Sequence, residues 1–311
     1  MNRRKALLTA GAAPVALAAI GRARAAATVR IATLTIDSGS ACFYAQDQGF
    51  FSRAGIDVQI QTIASGGAIV AAVASNSVDV GFANVVSAVT AFAKNIPVVL
   101  VAPGSVDVER TPTNALVVAP ASPIRTARDL NGKTMATTTL RNIVQFAAQN
   151  WIDKNGGDSS TVRFVEMPFS EMVDALTAGR IDAAILAEPF MSAAKGRTRL
   201  VAYPMAAIGP RVQLGGWIAS LSWARANAAL VADFNNAIVK TNAWANAHHD
   251  QTAQILVKIG KLDRQAVAKM NRATYATALV PSELQPAIDV AARYGAIPQS
   301  LPAQSMIFKG H

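Results

Sequence analysis

The chain has 311 residues and a formal net charge of +10, and its length is sufficient for two domains. Its lysines and arginines form no cluster interleaved with aromatic residues, so the charge does not support nucleic-acid binding. The single cysteine, Cys42, excludes an intramolecular disulfide and a Cys/His metal site. Cys42 is expected to be a small buried hydrophobe in a helix, with a pocket-lining thiol as the alternative.

The first 25 residues have the pattern of a secretory signal peptide. Residues 1–5 form a basic segment with Arg3, Arg4 and Lys5, and residues 6–20 form an apolar segment interrupted only by small or turn residues. Ala23-Arg24-Ala25 fits a small-x-small cleavage site. Arg3-Arg4 allows the twin-arginine (Tat) route, but ordinary Sec secretion fits equally well. This leader holds five basic residues and no acid, which leaves 24 basic against 19 acidic residues, or +5. We therefore expect a soluble periplasmic protein that begins near Ala26.

The remaining chain alternates predicted strands and helices, which favours mostly parallel α/β sheets flanked by helices. The predicted strands are residues 29–36, 56–61, 97–102, 115–118, 134–136 and 162–166. The predicted helices are residues 41–51, 142–154, 263–275 and 281–294, with further helices between 227 and 258.

One segment is repeated along the chain. Residues 69–80 and 172–183 each predict a helix, a stop, a β-branched residue, an aspartate and a short apolar strand. The stops are Asn76 and Gly179, residue types that tolerate the left-handed position after a helix. Two copies of one unit predict two similar lobes that face each other. Because ligands bind beyond the carboxyl ends of such strands, Asn84 and Glu188 are expected on opposite walls of a cleft.

Two predicted helix N-termini are candidates for an anion site. Ser65-Gly66-Gly67 and Thr137-Thr138-Thr139 offer hydroxyls and free backbone N–H groups at the positive end of a helix dipole. A sulfonate, carboxylate or nitrate suits such a site, although plain N-capping explains the same residues. Arg141 is either part of an anion clamp or a solvated side chain on a helix face.

Asp37 and Glu188 point instead to an amine or a nitrogen heterocycle, since carboxylates accept N–H hydrogen bonds. Both follow predicted strands, and Glu188 is expected to be a ligand contact that is partly solvated in the empty protein. For Asp37, a turn with Ser38-Gly39 is the alternative. Trp217 is expected to stack on a flat ligand, or to lie in the core, which is the better reading for Phe43.

Four motifs resemble the nitrate/sulfonate/taurine and thiamine-precursor family of periplasmic binding proteins. Residues 45–58, AQDQGFFSRAGIDV, resemble the signature A-x-x-x-G-[FL]-[FY]-x-x-x-G-[IL]-x-V. The other motifs are Val78-Asp79-Val80-Gly81, Asp129-Leu130-Asn131-Gly132-Lys133 and Glu188-Pro189-Phe190. Together they cover the chain from about Val29 to Trp217.

The resemblance implies a two-lobed periplasmic binding protein fold of type II. Lobe 1 is then discontinuous, with residues 26–113 and 215–311, and lobe 2 spans residues 114–214. The implied function is a monomeric receptor that delivers a small solute to the permease and ATPase of an ABC importer, without a cofactor. We expect a hinge at residues 111–114 and 213–217, where Gly215-Gly216 gives the backbone freedom.

Two other functions are considered. Thiamine-pyrimidine synthases share this fold but use a cysteine-rich segment and a sacrificial histidine. This chain has one cysteine, and its histidines, His248, His249 and His311, show no metal spacing and no triad. The other alternative is a sensory binding module that is not coupled to transport.

Overall fold

A computed structural model describes residues 27–260 and 264–310. The predicted signal peptide and its cleavage site lie outside the described residues. Within the described residues, no helix combines the length and the apolar character needed to cross a membrane.

The first part of the chain alternates strands and short helices, as the sequence predicts. Its elements are β1 (Ala27–Thr33), α1 (Ala41–Asp47), α2 (Phe50–Arg53), β2 (Ile56–Thr62), α3 (Gly66–Ala74), β3 (Val80–Asn84), α4 (Val85–Ala93), β4 (Val98–Pro103) and β5 (Ser105–Val108). The second part contains β6 (Asn114–Val118), β7 (Thr134–Thr137), α5 (Ile143–Lys154), β8 (Arg163–Glu166), α6 (Phe169–Thr177), β9 (Ala183–Ala187), α7 (Phe190–Ala193) and β10 (Arg199–Ala202).

The last part returns to the first sheet and ends in helices. Its elements are β11 (Arg211–Gln213), β12 (Gly215–Ser220), α8 (Leu221–Ala226), α9 (Ala228–Ala247), α10 (His249–Gly260), α11 (Arg264–Lys269), β13 (Thr274–Tyr275) and α12 (Pro281–Arg293).

Two five-stranded sheets have the same architecture. The strand orders are β2-β1-β3-β12-β4 and β10-β6-β9-β7-β8. In each sheet four strands run in one direction, and one runs against them: β12 in the first sheet and β6 in the second. Each of these two strands is the first one that the chain adds to its sheet after it passes from one half of the molecule to the other. The lobe boundaries predicted at residues 114 and 215 coincide with their first residues, while the extent of each lobe stays a prediction.

The sequence repeat is also a structural repeat. Its strands, β3 and β9, occupy equivalent places in the two sheets, and Asn76 and Gly179 both have a positive φ, at 55° and 66°. The repeated aspartates have equivalent roles, because Asp79 Oδ2 accepts from the backbone N of Arg30 and Asp182 Oδ2 from that of Thr134, both at 2.8 Å. Each aspartate therefore ties its repeat to the neighbouring parallel strand, which explains why both copies keep it.

Two predicted helices differ from the observed ones. The helix predicted over residues 41–51 is interrupted at Gly49, whose φ of 69° ends α1 before α2 begins. The helix predicted over residues 263–275 extends only to Lys269, because Thr274 and Tyr275 form β13 and pair with β5. Strand β5 also pairs with β11, which gives a third, small sheet in the order β11-β5-β13. This pairing joins distant segments, so local sequence patterns do not reveal it.

The predicted hinge role of Gly215-Gly216 is wrong, because both residues lie inside the buried strand β12. A Cβ atom on Gly215 would come within 2.7 Å of the Phe82 ring, and one on Gly216 within 2.8 Å of the Leu100 side chain. These glycines permit close packing in the middle of a sheet, where little backbone freedom remains. The chain passes between the two sheets through residues 109–113, which follow β5, and returns through the segment that contains β11, the partner of β5.

Candidate functional site

Two adjoining cavities lie between the halves of the molecule, beyond the carboxyl ends of the sheet strands. The outer one has a volume of about 310 Å³ and the inner one about 60 Å³, and both are lined by Leu34, Ile36 and Phe169. Gly66 and six residues with polar side chains line the inner cavity, namely Ser38, Asn84, Asn114, Thr138, Thr139 and Asn142. We call the two cavities together the cleft. Its position is the one that the sequence repeat predicts.

Three hydroxyl groups in the inner cavity have no hydrogen-bond partner among the described residues. Ser38 comes from the first wall, and Thr138 and Thr139 come from the second. Ser38 and Thr138 are 6% and 8% exposed, and Oγ1 of Thr139 is fully buried without a partner. The Thr139 hydroxyl therefore has hydrogen bonds neither to water nor to the described residues, while the hydroxyls of Ser38 and Thr138 have none to those residues. The cavity therefore presents polar groups from both walls to a molecule that can hydrogen-bond.

Four helices direct their N-termini at the cleft. Lining residues lie at the first turn or N-cap of α3, α4, α5 and α6, namely Gly66, Asn84, Ile143 and Phe169. The N-terminus of a helix carries a partial positive charge and free N–H groups. No Asp, Glu, Lys, Arg or His is among the described residues that line the two cavities. Among these lining residues no charged side chain offsets the helix N-termini, so the lining itself favours negative charge.

Three of the predicted helix-terminal residues, Ser65, Gly67 and Thr137, do not line the cavity. The Ser65 hydroxyl is an N-cap that accepts from Ala68 N at 3.3 Å, and Thr137 is fully buried at the end of β7. The N-cap of α5 is Asn142, whose Oδ1 accepts from Gln145 N at 2.9 Å, rather than one of the three threonines. Gly67 lies at the contact between the walls, since a Cβ on it would come within 3.2 Å of Thr139 Cγ2.

Asp37 does not line the cleft, because its carboxylate faces the C-terminal part of the chain. Its side chain is 1% exposed and accepts from Arg272 Nε and Nη2, both at 3.0 Å. It also accepts from Tyr44 OH at 2.9 Å and from Ala273 N at 2.7 Å. These four hydrogen bonds satisfy both carboxylate oxygens, so Asp37 is a buried anchor rather than the solvated cleft carboxylate that the sequence suggests.

The carboxylate of Glu188 is likewise hydrogen-bonded within the protein. It is 2% exposed, and its carboxylate accepts from Ser192 N at 3.0 Å, Ser192 Oγ at 2.9 Å and Asn271 N at 3.2 Å. The expectation of a partly solvated carboxylate is therefore wrong. Its neighbour Ala187 lines the inner cavity in its place, since side chains alternate between the two faces of a strand.

Burial raises the pKa of Glu188 above its usual value, hydrogen bonds from Ser192 and Asn271 oppose this shift, and the charge of Asp37 adds to it. The folded protein therefore holds a proton on Glu188 more tightly than the unfolded chain does. This contribution to stability is complete below the unfolded pKa and is lost as the pH rises through the folded pKa. Because Gln does not titrate, we expect the free energy of unfolding of the wild type to fall relative to that of Glu188→Gln as the pH rises from about 4 towards neutral.

Urea unfolding of both proteins across this pH range measures the difference. Glu109→Gln is the control, because Glu109 is exposed and forms no side-chain hydrogen bond in the described structure. A difference for Glu188→Gln that stays constant with pH would contradict the raised pKa.

The structure and the known families agree on the fold. The family model described as NMT1/THI5-like matches residues 39–252. This chain belongs to the NMT1/THI5-like family. A search of curated proteins gives no match.

Three solved structures illustrate how similar this family member is to known binding proteins. The aliphatic sulphonate binding protein SsuA from Escherichia coli has a TM-score of 0.71 at 16% identity, over 91% of this chain and 92% of that chain. SsuA from Xanthomonas axonopodis pv. citri, bound to MOPS, has a TM-score of 0.75 at 18% identity, over 92% of this chain and 99% of that chain. The nitrate-binding protein NrtA from Synechocystis PCC 6803 has a TM-score of 0.78 at 13% identity, over 91% of this chain and 86% of that chain. These similarities confirm the predicted two-lobed periplasmic binding protein fold.

Asp129 and Cys42 have structural roles in this NMT1/THI5-like chain. Asp129 of the D-L-x-G-K motif is a turn cap that accepts from Arg125 N at 2.9 Å and from Thr126 N at 2.8 Å. These backbone hydrogen bonds lower the pKa of Asp129. Cys42, in α1, is fully buried and follows the prediction of a small core hydrophobe.

Trp217, Phe43 and Arg141 do not line the cleft. Trp217 is fully buried between Phe82 and Phe234, with ring-centroid distances of 5.5 and 5.8 Å. Phe43 belongs to the same core. The guanidinium of Arg141 donates to the carbonyl oxygen of Gly295, so it links the second half of the molecule to the C-terminal segment. The role predicted for Trp217 as a stacking residue is therefore wrong, because Phe82 lies between it and the cavity.

The residues that sequence reasoning missed fall into two groups. Asn114 and Asn142 line the inner cavity as the first residue of β6 and the N-cap of α5, and an asparagine at a predicted strand or helix start could have indicated them. Arg272 and Asn271, which hold Asp37 and Glu188, lie more than 80 residues away in the sequence from either partner. No local pattern connects such distant residues.

Proposed function

We propose that this protein is an exported receptor that captures a small organic anion in the cleft and delivers it to the permease of an ABC importer. It is monomeric, lies in the periplasm, and binds and releases its ligand without changing it chemically. The family membership and the periplasmic binding protein fold support the receptor role.

The observation that carries this proposal is the set of unpaired hydroxyls at the meeting point of the two walls. Ser38 belongs to the segment after β1, whereas Thr138 belongs to the segment after β7. A ligand that hydrogen-bonds to both would hold the walls together, which is how a two-lobed receptor couples binding to closure. The two lobes then move about the chain crossings near β5 and β11.

The chemistry of the lining supports an anion with an organic group. The helix N-termini and hydroxyls of the inner cavity suit a sulfonate or carboxylate, which accepts several hydrogen bonds at once. Phe169 and Phe190 stack on each other with 5.3 Å between ring centroids, and both line the outer cavity, where an apolar part of the ligand fits. The carboxylates of Asp37 and Glu188 already accept hydrogen bonds from protein donors, so they no longer favour a nitrogen heterocycle as the ligand.

Removing one cleft hydroxyl is expected to weaken binding without harming the empty protein. For Ser38→Ala and Thr138→Val we expect a loss of about 1–1.5 kcal/mol, roughly tenfold in Kd, because each removes one hydrogen bond to the ligand. A thermal-shift screen of alkanesulfonates, nitrate, aromatic carboxylates and pyrimidines identifies a ligand, and titration calorimetry gives the Kd of each variant.

Thr90→Val is the matched control, because the Thr90 hydroxyl is also buried without a partner but does not line the cleft. Its Kd is expected to equal that of the wild type. Tight binding of a pyrimidine with no response to sulfonates or carboxylates would contradict the anion assignment. Binding unaffected by both cleft variants would contradict the site.

A further inference from the structure

A buried ion pair behind the cleft joins its first wall to a distant part of the chain. Arg272 lies between α11 and β13, and its guanidinium donates to both carboxylate oxygens of Asp37 at 3.0 Å. Its remaining nitrogen, Nη1, donates to the carbonyl oxygen of His249 at 2.7 Å. The Arg272 side chain is 10% exposed, so little water screens this pair.

The ion pair lies directly behind the ligand-facing surface. Ile36 and Ser38, on either side of Asp37, both line the inner cavity, while Arg272 lines neither part of the cleft. The Asp37 carboxylate therefore lies just behind the cleft wall, and its charge acts on a ligand in the cleft. In a poorly solvated interior, charges at such short range interact strongly.

A second carboxylate, that of Glu188, makes a neutralising cation near Asp37 more important. The carbonyl oxygen of Glu188 accepts from Asp37 N at 3.3 Å, which brings the ends of β1 and β9 together. Glu188 forms no ion pair within the described residues, and its hydrogen-bond donors are Ser192 and Asn271. Arg272, which pairs with Asp37, is thus the one cation that the described structure pairs with either of these acids.

We propose that Arg272 determines the charge specificity of the receptor, because it neutralises Asp37 and so allows an anion to bind beside Ser38. This inference rests on the proposed function. Arg272 is a positioning residue rather than a ligand contact. Without it, the unpaired charge of Asp37 would repel an anionic ligand but would leave a neutral ligand of the same shape unaffected.

The test compares two probe pairs of matched shape, ethanesulfonate with ethanesulfonamide and benzoate with benzamide. Calorimetry gives the Kd of each probe for the wild type, Arg272→Gln, Arg272→Lys and the double variant Asp37→Asn/Arg272→Gln. For Arg272→Gln we expect the anion that the wild type binds to lose at least about tenfold in affinity, and its neutral analogue to lose less than about threefold.

The other two variants separate charge from structure. The double variant carries neither charge, so we expect anion affinity to return to within about threefold of the wild type. Arg272→Lys keeps the charge and loses the two-pronged geometry, so we expect it to keep its preference for the anion. Circular dichroism at the temperature of the titration verifies that each variant is folded.

Two results would overturn the inference while the proposed function stands. The first is an equal loss for the anion and its neutral analogue in Arg272→Gln, which indicates only a distorted wall. The second is a double variant that binds the anion as weakly as Arg272→Gln does. If the wild type binds none of the anions in the screen, the proposed function fails and the inference fails with it.

Discussion

Replacing Asp37 by alanine is expected to lower the free energy of unfolding by about 3–5 kcal/mol, because it leaves the Arg272 guanidinium buried without its partner. The same change also removes the acceptor for Tyr44 OH and Ala273 N, which lie in the same buried cluster. Chemical denaturation of the wild type and the variant at neutral pH measures this loss.

An exposed ion pair of the same chemistry provides the control. Arg197 donates to Asp174 at 2.6 Å, but the two side chains are 54% and 69% exposed. Asp174→Ala is expected to change stability by less than about 1 kcal/mol, since water screens the pair. Equal losses in Asp37→Ala and Asp174→Ala would show that the Asp37 cluster is not an anchor of the fold.

Replacing Trp217 by alanine is expected to cost about 3–5 kcal/mol, because it opens a large cavity in a fully buried part of the first sheet. Phe82 and Phe234 lose their ring contacts with Trp217 in this variant. Chemical denaturation checks the loss of stability.

Trp217→Phe distinguishes a core residue from a ligand contact. It keeps an aromatic ring in the core and is expected to leave the Kd within about threefold of the wild type, since Phe82 separates Trp217 from the cavity. A loss of binding of more than tenfold in Trp217→Phe, with the protein still folded, would restore the stacking role that the sequence suggested.

The location of the cleft could be predicted from the repeat alone. Residues 69–80 and 172–183 predicted two equivalent units, and the structure places β3 and β9 at equivalent positions of two sheets. Ser38, Gly66, Asn84, Thr138 and Thr139 line the inner cavity because each follows or ends a strand of this repeated architecture. Their role as ligand contacts stays a prediction that the variants above test.

The direction of side chains could not be predicted in the same way. Asp37 and Ser38 are adjacent in sequence, yet the serine faces the cavity and the aspartate faces Arg272. In the same way, Ala187 faces the cavity, while the next residue, Glu188, faces Asn271. Asp37 and Ser38 lie in a single 3-10 turn, in which successive side chains point in different directions, and Glu188 directly follows the last residue of β9. Sequence patterns do not locate the ends of such elements to one residue.

By itself, the sequence determined the elements with local causes: the alternating strands and helices, the left-handed stops at Asn76 and Gly179, and the polar residues at strand ends. Only the tertiary structure decided which of those polar residues remain free for a ligand. The C-terminal segment supplies Arg272 to Asp37 and Asn271 to Glu188 across 235 and 83 residues. Whether a buried carboxylate binds a ligand or stabilises the fold depends on whether the protein itself provides its donors, and here those donors come from residues that only folding brings near.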